Sequence, residues 1–144
     1  MYKIILQLRK IYWFICRPKT QGVKVVIECK DEILMIKNTY GKNVWTFPGG
    51  GIEKDEDPIT AAKREVKEEV GIIISDLRDV GKLSNEREYK RDTIYCFQAL
   101  VDTKLVSTNL NEIKEAFWFN KNHLPSDMSS ISMQIYENYE KQGL

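Results

Sequence analysis

Apolar positions along this chain fall in short blocks whose period changes several times. After Pro18 and Gly22, the run Val23-Lys24-Val25-Val26-Ile27-Glu28-Cys29 is short and β-branched. A polar Lys30-Asp31-Glu32 turn separates it from Ile33-Leu34-Met35-Ile36, and the pair predicts two strands of a hairpin. Gly41 and Asn43 punctuate the next turn, Trp45-Thr46-Phe47 predicts a brief strand, and Pro48-Gly49-Gly50-Gly51 is expected to stop regular structure there. Further strands are expected at 72–74, 93–101 and 116–119, with the highly charged stretch 85–92 as a loop between strands. Ile131, Ile135 and Tyr139, spaced i, i+4, i+8, predict a closing helix from Ser129 to Lys141. Strands and helices mixed in this order indicate an α/β or α+β sandwich.

Between the glycine run and 72–74 lies the best-marked helix. Asp57 supplies an N-cap, Pro58 fits the first helical position because its missing N–H has no partner to lose there, and Gly71 supplies the stop. At about 100° per residue, with Glu65 at zero, Glu69 falls near +40° and Glu68 near −60°, so three carboxylates share one arc. Ala61 and Ala62 lie close to that arc and leave it uncrowded, while Ile59, Val66 and Val70 gather on the adjoining edge as the expected core face. Like charges three and four residues apart destabilise a helix by roughly 0.2–0.5 kcal/mol per pair, and a bound cation reverses that sign. Oxygen-only donors suit a hard ion such as Mg²⁺, which takes one or two protein carboxylates and fills its shell with water and substrate phosphates. A solvated acidic face, with Lys63, Arg64 and Lys67 as partners, is the competing reading of the helix taken alone.

At 144 residues the chain has room for one domain at roughly 100–200 residues per domain. Its 22 Lys and Arg against 21 Asp and Glu leave a formal charge of +1, without the bulk positive field that drives nonspecific nucleic-acid binding, so no DNA or stable RNA partner is expected. Cys16, Cys29 and Cys96 are scattered and form no CxxC pair, which argues against a disulfide framework or thiolate zinc site and for a reducing cytoplasm. Tyr2 to Cys16 is apolar but cut by Arg9 and Lys10, too short for a membrane span of about 20 residues. No small-residue cleavage site follows it. Residues 1–18 therefore read as an apolar extension, with a helix favoured, packed on the domain or on a second copy. That makes a homodimer possible; a membrane-surface helix is the alternative. Residues 19–144 read as a single domain.

The wider string decides between the two readings of the acidic helix. Gly50, five residues, Glu56, seven residues, then Arg64-Glu65-Val66-Lys67-Glu68-Glu69-Val70-Gly71-Ile72 resembles the Nudix hydrolase box G-x5-E-x7-R-E-U-x-E-E-x-G-U, where U is aliphatic, at each of its nine specified positions. The resemblance covers about residues 20–125, closely in the box and more loosely outside it, where Trp45 to Gly50 and Glu115 to Phe119 look like the family's flanking strands. It implies an α/β/α sandwich with a mixed sheet and a loop-helix-loop catalytic motif. It also implies hydrolysis of a nucleoside diphosphate linked to another moiety, such as a nucleoside triphosphate, dinucleoside polyphosphate or nucleotide sugar, dependent on Mg²⁺ or Mn²⁺. By position in the motif, Glu65, Glu68 and Glu69 match the metal-binding glutamates, with Glu65 or Glu68 as general base, and Gly49 matches the glycine whose carbonyl ligates metal. Arg64 and Glu56 match the pair that orients the catalytic helix, alongside Gly50 and Gly71 of the motif.

Outside the box, Glu112 lies where some members carry a further acidic metal ligand or base, with Glu115 as the neighbouring option. Arg87, Lys90 and Arg91 are candidates for substrate phosphates, and Tyr40, Trp45 and Tyr89 for stacking on a base, although Trp45 reads better as a packing residue. His123 reads as a loop residue. Two other functions fit the same fold: a catalytically idle nucleotide sensor, whose usual sign is a degraded box, and an RNA-cap hydrolase, against which the near-neutral charge argues.

Overall fold

The computed structural model describes residues 20–87 and 90–142. The apolar extension expected over residues 1–18 lies outside the described residues, as does Cys16 within it.

Six strands form one mixed sheet: β1 (Thr20–Cys29), β2 (Glu32–Asn38), β3 (Gly49–Gly51), β4 (Arg78–Arg87), β5 (Lys90–Leu100) and β6 (Ile113–Asn120). The strand order is β4-β5-β1-β2-β6, with β3 paired to β1 off this path. Helix α1 (Pro58–Val70) and helix α2 (Ser130–Lys141) cover opposite faces, giving an α/β/α sandwich. The division follows from the period of two along a strand. Val23, Val25 and Ile27 of β1 with Leu34 and Ile36 of β2 pack against Ala61, Ala62, Val66 and Val70 of α1. Their neighbours Val26, Ile33 and Met35 pack against Ile135 and Tyr139 of α2. Strands buried on both faces read as near-continuous apolar runs, which is how β1 and β2 look in the sequence.

Strand β1 changes partner along its length. Glu28 and Cys29 pair with β2 at the hairpin, whereas Gly22, Val23 and Lys24 pair with Gly51, Gly50 and Gly49 of β3. Its other edge pairs in parallel with β5 throughout. Beside the opening between β1 and β2, Thr46 bridges to Ile36 and Trp45 to Met128, so 45–47 makes isolated bridges rather than a strand. The glycine run, expected to be irregular, is instead a strand. A Cβ on Gly49 would come 2.0 Å from the Val23 carbonyl oxygen, so only glycine lets the two backbones meet there, at φ +151°.

Three other expectations fail. Ile72 to Ile74 forms no strand; Ile72 and Ile74 are buried in the α1-side core and Ile73 is 82% exposed, so the triplet packs without joining a ladder. The stretch 85–92 is mostly strand, since Asn85, Glu86 and Arg87 of β4 pair with Asp92, Arg91 and Lys90 of β5. The two helices expected within the described residues stand. Asp57 Oδ1 accepts from the Thr60 N–H and Gly71 caps α1 at φ +72°, while Ser129 caps α2. Ile59 departs from its expected place on the core edge and is 47% exposed. A buried polar group ties α2 to the sheet: Glu28 Oε2 accepts from Tyr139 Oη at 2.5 Å and Gln98 Nε2 at 2.8 Å, and Lys121 pairs with the same carboxylate. No helix among the described residues is long and apolar enough to cross a membrane.

Candidate active site

Helix α1 lies across the end of β3, and the contact is built on absent side chains. A Cβ on Gly50 would stand 2.5 Å from the Glu65 carboxyl carbon, so the Glu65 head occupies the space a larger residue would fill. One turn on, Glu69 Oε1 accepts the Gly49 N–H at 2.7 Å. Glu65 and Glu69 are 7% and 4% exposed, whereas Glu68 is exposed, so the three carboxylates of one arc divide into two buried and one in solvent. Ala61 and Ala62, expected to leave the arc open, are wholly buried core residues.

Arg64 organises the acids. Its Nε and Nη2 donate to Glu56 Oε2 and Oε1, both at 2.8 Å, a two-point pairing that suits the guanidinium fork. Nη2 also reaches the Gly51 carbonyl at 3.0 Å, and Nη1 donates to Glu65 Oε1 at 2.9 Å and Glu68 Oε2 at 3.4 Å. The repulsion expected between Glu65 and Glu68 is thus offset by a cation placed between them. Glu56 accepts the Glu53 N–H as well, closing the turn before α1. The Arg64 hydrogen bond is the main cause holding the Glu56 carboxyl below its ordinary pKa. Glu65 and Glu69 shift the other way: burial pushes both carboxyls up, against the pull of Arg64 on the first and of Lys24 on the second.

Glu112 comes from another part of the chain. The loop before β6 donates Ser107 N–H to the Val70 carbonyl and Asn109 N–H to the Glu69 carbonyl, satisfying two carbonyls that the end of α1 leaves open. Glu112 follows three residues later, its N–H bonded to Asn109 O, and its charge acts on both Glu65 and Glu69. Glu115 is turned away toward Lys37, at 3.6 Å.

Among the described residues, no three His, Cys, Asp or Glu side chains are drawn together so as to hold a metal ion by themselves. The donors nevertheless suit a hard cation with few protein ligands. The hydrogen bonds above use one oxygen each of Glu65, Glu68 and Glu69, and burial disfavours the charged form of Glu65 and Glu69, a penalty that a cation would relieve. Arg87 and Arg91 fall on paired strands whose side chains lie outside the description, and Tyr89 lies outside the described residues. Tyr40 is 42% exposed. Trp45 packs edge-on against Phe119 at 4.9 Å with Lys37 over its ring, and His123 is exposed in the turn after β6.

The sequence pattern of the NUDIX domain matches residues 18–139, most of the chain. The chain belongs to the NUDIX domain family. Curated relatives of this Nudix domain include the 8-oxo-dGTP diphosphatase of Buchnera aphidicola, 47% identical over 45 residues that make up 31% of this chain and 36% of that protein. The RNA pyrophosphohydrolase of Bartonella bacilliformis is 26% identical over 83% of this chain and 88% of its own length. Among solved structures, the MutT NUDIX hydrolase of Burkholderia pseudomallei superposes with a TM-score of 0.77 at 19% identity, over 85% of this chain and 98% of that one. That likeness bears on the fold.

One residue of this Nudix site escaped sequence reasoning. Lys24 stands in the interior of β1, donates from Nζ to the Phe47 carbonyl at 3.0 Å, and acts electrostatically on Glu69 and Glu65. The available signal was a lone cation inside a β-branched run.

Proposed function

We propose that this chain hydrolyses a phosphoanhydride bond in a nucleoside diphosphate linked to another moiety, using Mg²⁺ or Mn²⁺ held by Glu65, Glu68 and Glu69. Gly49 and Glu112 sit at the margin of that set. The observation that carries the reading is the Glu56–Arg64–Glu65 chain of hydrogen bonds, which fixes a buried carboxylate against the glycine strand while Glu68 stays in solvent. The relatives named diphosphatase and pyrophosphohydrolase support the same chemistry. A divalent ion there would neutralise the pyrophosphate charge and lower the pKa of water.

The protein's part is orientation and proton transfer. Arg64 holds Glu65 and steadies Glu68 at the longer distance of 3.4 Å. Glu69 is fixed through Oε1 by the Gly49 N–H. Glu68, exposed and least constrained of the three, takes the proton of the attacking water. Cys29 and Cys96 are buried free thiols, which supports a reducing cytoplasm as the place of work.

The test is a panel of nucleoside triphosphates, nucleotide sugars and dinucleoside polyphosphates, with products identified in Mg²⁺ and in Mn²⁺, for wild type, Glu68→Gln and Lys67→Gln. Turnover that stops on chelation, falls with Glu68→Gln and survives Lys67→Gln is expected. Tight nucleotide binding without turnover across the panel would replace the enzyme with a sensor.

A further inference from the structure

The two helices lie on opposite faces of the sheet, yet a short piece of chain, Phe47-Pro48-Gly49, is bonded to both. It belongs to segment 45–51, which threads the opening between β1 and β2. Thr46 exchanges both backbone bonds with Ile36 of β2, at 2.8 and 2.9 Å, and Gly49, Gly50 and Gly51 pair with β1. The start of α2 grips the segment first. Trp45 N–H donates to the Asp127 carbonyl at 2.9 Å, Ser129 N–H to the Trp45 carbonyl at 2.8 Å, and Phe47 N–H to Ser132 Oγ at 3.2 Å. Ser132 Oγ also shares a hydrogen bond with Thr46 Oγ1 at 3.0 Å, and Ser132 and Phe47 are wholly buried. Two residues on, the Gly49 N–H donates to Glu69 Oε1 of α1 at 2.7 Å. Between the two N–H groups stands Pro48, whose ring fixes φ and whose carbonyl takes the Val25 N–H at 2.9 Å, so the link is stiff.

We propose that Ser132 is a positioning residue for Glu69: its hydroxyl fixes the chain at Phe47, the chain fixes Gly49, and the Gly49 N–H fixes the carboxylate. This rests on the metal reading given above, in which Glu69 is a ligand. Helix α2 then does more than cover the sheet, because its first turn sets where the glycine strand meets α1. The proposal also gives the serine a reason. A wholly buried hydroxyl is costly unless paired, and this one spends its hydrogen bonds on the segment that leads to Gly49. Losing the group that orients a metal ligand commonly weakens metal affinity by about 10–100-fold. Ser132 acts through three residues of chain rather than directly, so the expected loss is smaller, about three- to tenfold.

The measurement is calorimetric titration of Mn²⁺ into the full chain without nucleotide, for wild type, Ser132→Ala, Ser132→Cys and Tyr139→Phe. Each is checked for native circular dichroism and cooperative melting, and hydrogen exchange at the Gly49 amide is followed by NMR on the metal-free samples. Ser132→Ala should bind Mn²⁺ at least about threefold more weakly than wild type and exchange the Gly49 amide faster. Ser132→Cys keeps nearly the volume of serine but offers only a weak acceptor, so it carries the test if Ser132→Ala does not fold. Tyr139→Phe loosens the same helix through its bond to Glu28, away from segment 45–51, and should leave Mn²⁺ affinity and Gly49 exchange within about twofold of wild type. Unchanged Mn²⁺ affinity in a folded Ser132 variant would overturn the proposal. Equal weakening in Tyr139→Phe would overturn it too, making α2 a general support. A folded wild type that binds no Mn²⁺ would refute the metal reading itself, whatever Ser132→Ala does to the Gly49 amide, which separates the two failures.

Discussion

Gly50→Ala separates the chemistry of this site from its folding. Gly50 is not among the residues with positive φ, so alanine meets no backbone objection. The three atoms nearest the added methyl all belong to the Glu65 head, Cδ at 2.5 Å and the two oxygens at 2.6 and 2.8 Å. Ordinary carbon contact distances are about 3.5–4.0 Å, so the carboxylate must retreat by roughly 1 Å. That retreat strains the 2.9 Å bond from Arg64. A lost hydrogen bond to a charged group costs about 1.5–3 kcal/mol, and removing a glycine from the unfolded chain returns about 0.4–1 kcal/mol. The net destabilisation is therefore about 1–2 kcal/mol, a shift of several degrees in melting. Displacing a catalytic group by about 1 Å can lower rate on the order of 100-fold, so turnover should fall far more than stability. Gly49→Ala is the contrast: its methyl would meet Val23 O at 2.0 Å and Lys24 Cα at 2.9 Å, both backbone, and β3 must leave β1. It should lower melting severely at any metal concentration. The assay is steady-state turnover against Mn²⁺ concentration, with melting curves on the same samples. Wild-type turnover in Gly50→Ala, or a native melt in Gly49→Ala, would refute the packing argument.

Arg64→Ala should cost stability as well as rate, about 3 kcal/mol by chemical denaturation, because it leaves the partly buried Glu56 and the buried Glu65 without their cation. The metal-free protein should be most stable in mild acid. Glu65 and Glu69 bind protons more tightly folded than unfolded, so the native state holds more protons and stability falls as pH rises out of the ordinary carboxylate range toward neutrality. Glu56 runs the other way, its contribution being lost only as pH falls through its depressed folded value. Melting between about pH 5 and pH 8 with chelator should show the decline, and Glu69→Gln should flatten it. Tyr139→Phe removes a buried bond to Glu28 and should cost about 1–2 kcal/mol in melting while leaving kcat unchanged.

The parts legible in the sequence were those whose physics is local. Asp57, Pro58 and Gly71 mark both ends of α1 within a few residues of the groups they satisfy, and the box spacing names the acids along it. What sequence reading lacked was set by distant chain. Strand β4 is polar, carries a register shift between Asp79 and Gly81, and has one neighbour only, so no apolar alternation announces it. Glycines 49–51 form a strand because β1 can approach them, a fact held 25 residues upstream. Lys24 looks like a strand residue of the wrong type until the Phe47 carbonyl is folded beside it. The unequal burial of Glu65, Glu68 and Glu69 follows from where the glycine strand crosses α1, which a helical wheel does not contain.

The loop that closes α1 also sets where this fold can be lengthened. Leu105 and Leu110 are 81% and 80% exposed, and by exposure alone the whole connection from β5 to β6 looks open to insertion or grafting. Its backbone divides it in two. Between Ser107 and Glu112 the N–H groups of Ser107 and Asn109 cap the end of α1, those of Asn111 and Glu112 turn back on Asn109, and the Glu112 carbonyl receives Thr39 N–H. Extra residues there would shift Glu112 away from Glu65 and Glu69 while uncapping the helix that carries them. Before Leu105 the backbone is committed only away from the site, Val101 N–H to the Glu28 carbonyl and the Lys104 carbonyl to Trp118 Nε1, so residues added between those two anchors would leave Glu112 and the cap of α1 in place. An exposed loop can thus be a poor site for a graft, because tolerance to added chain follows the commitments of the backbone and not its accessibility.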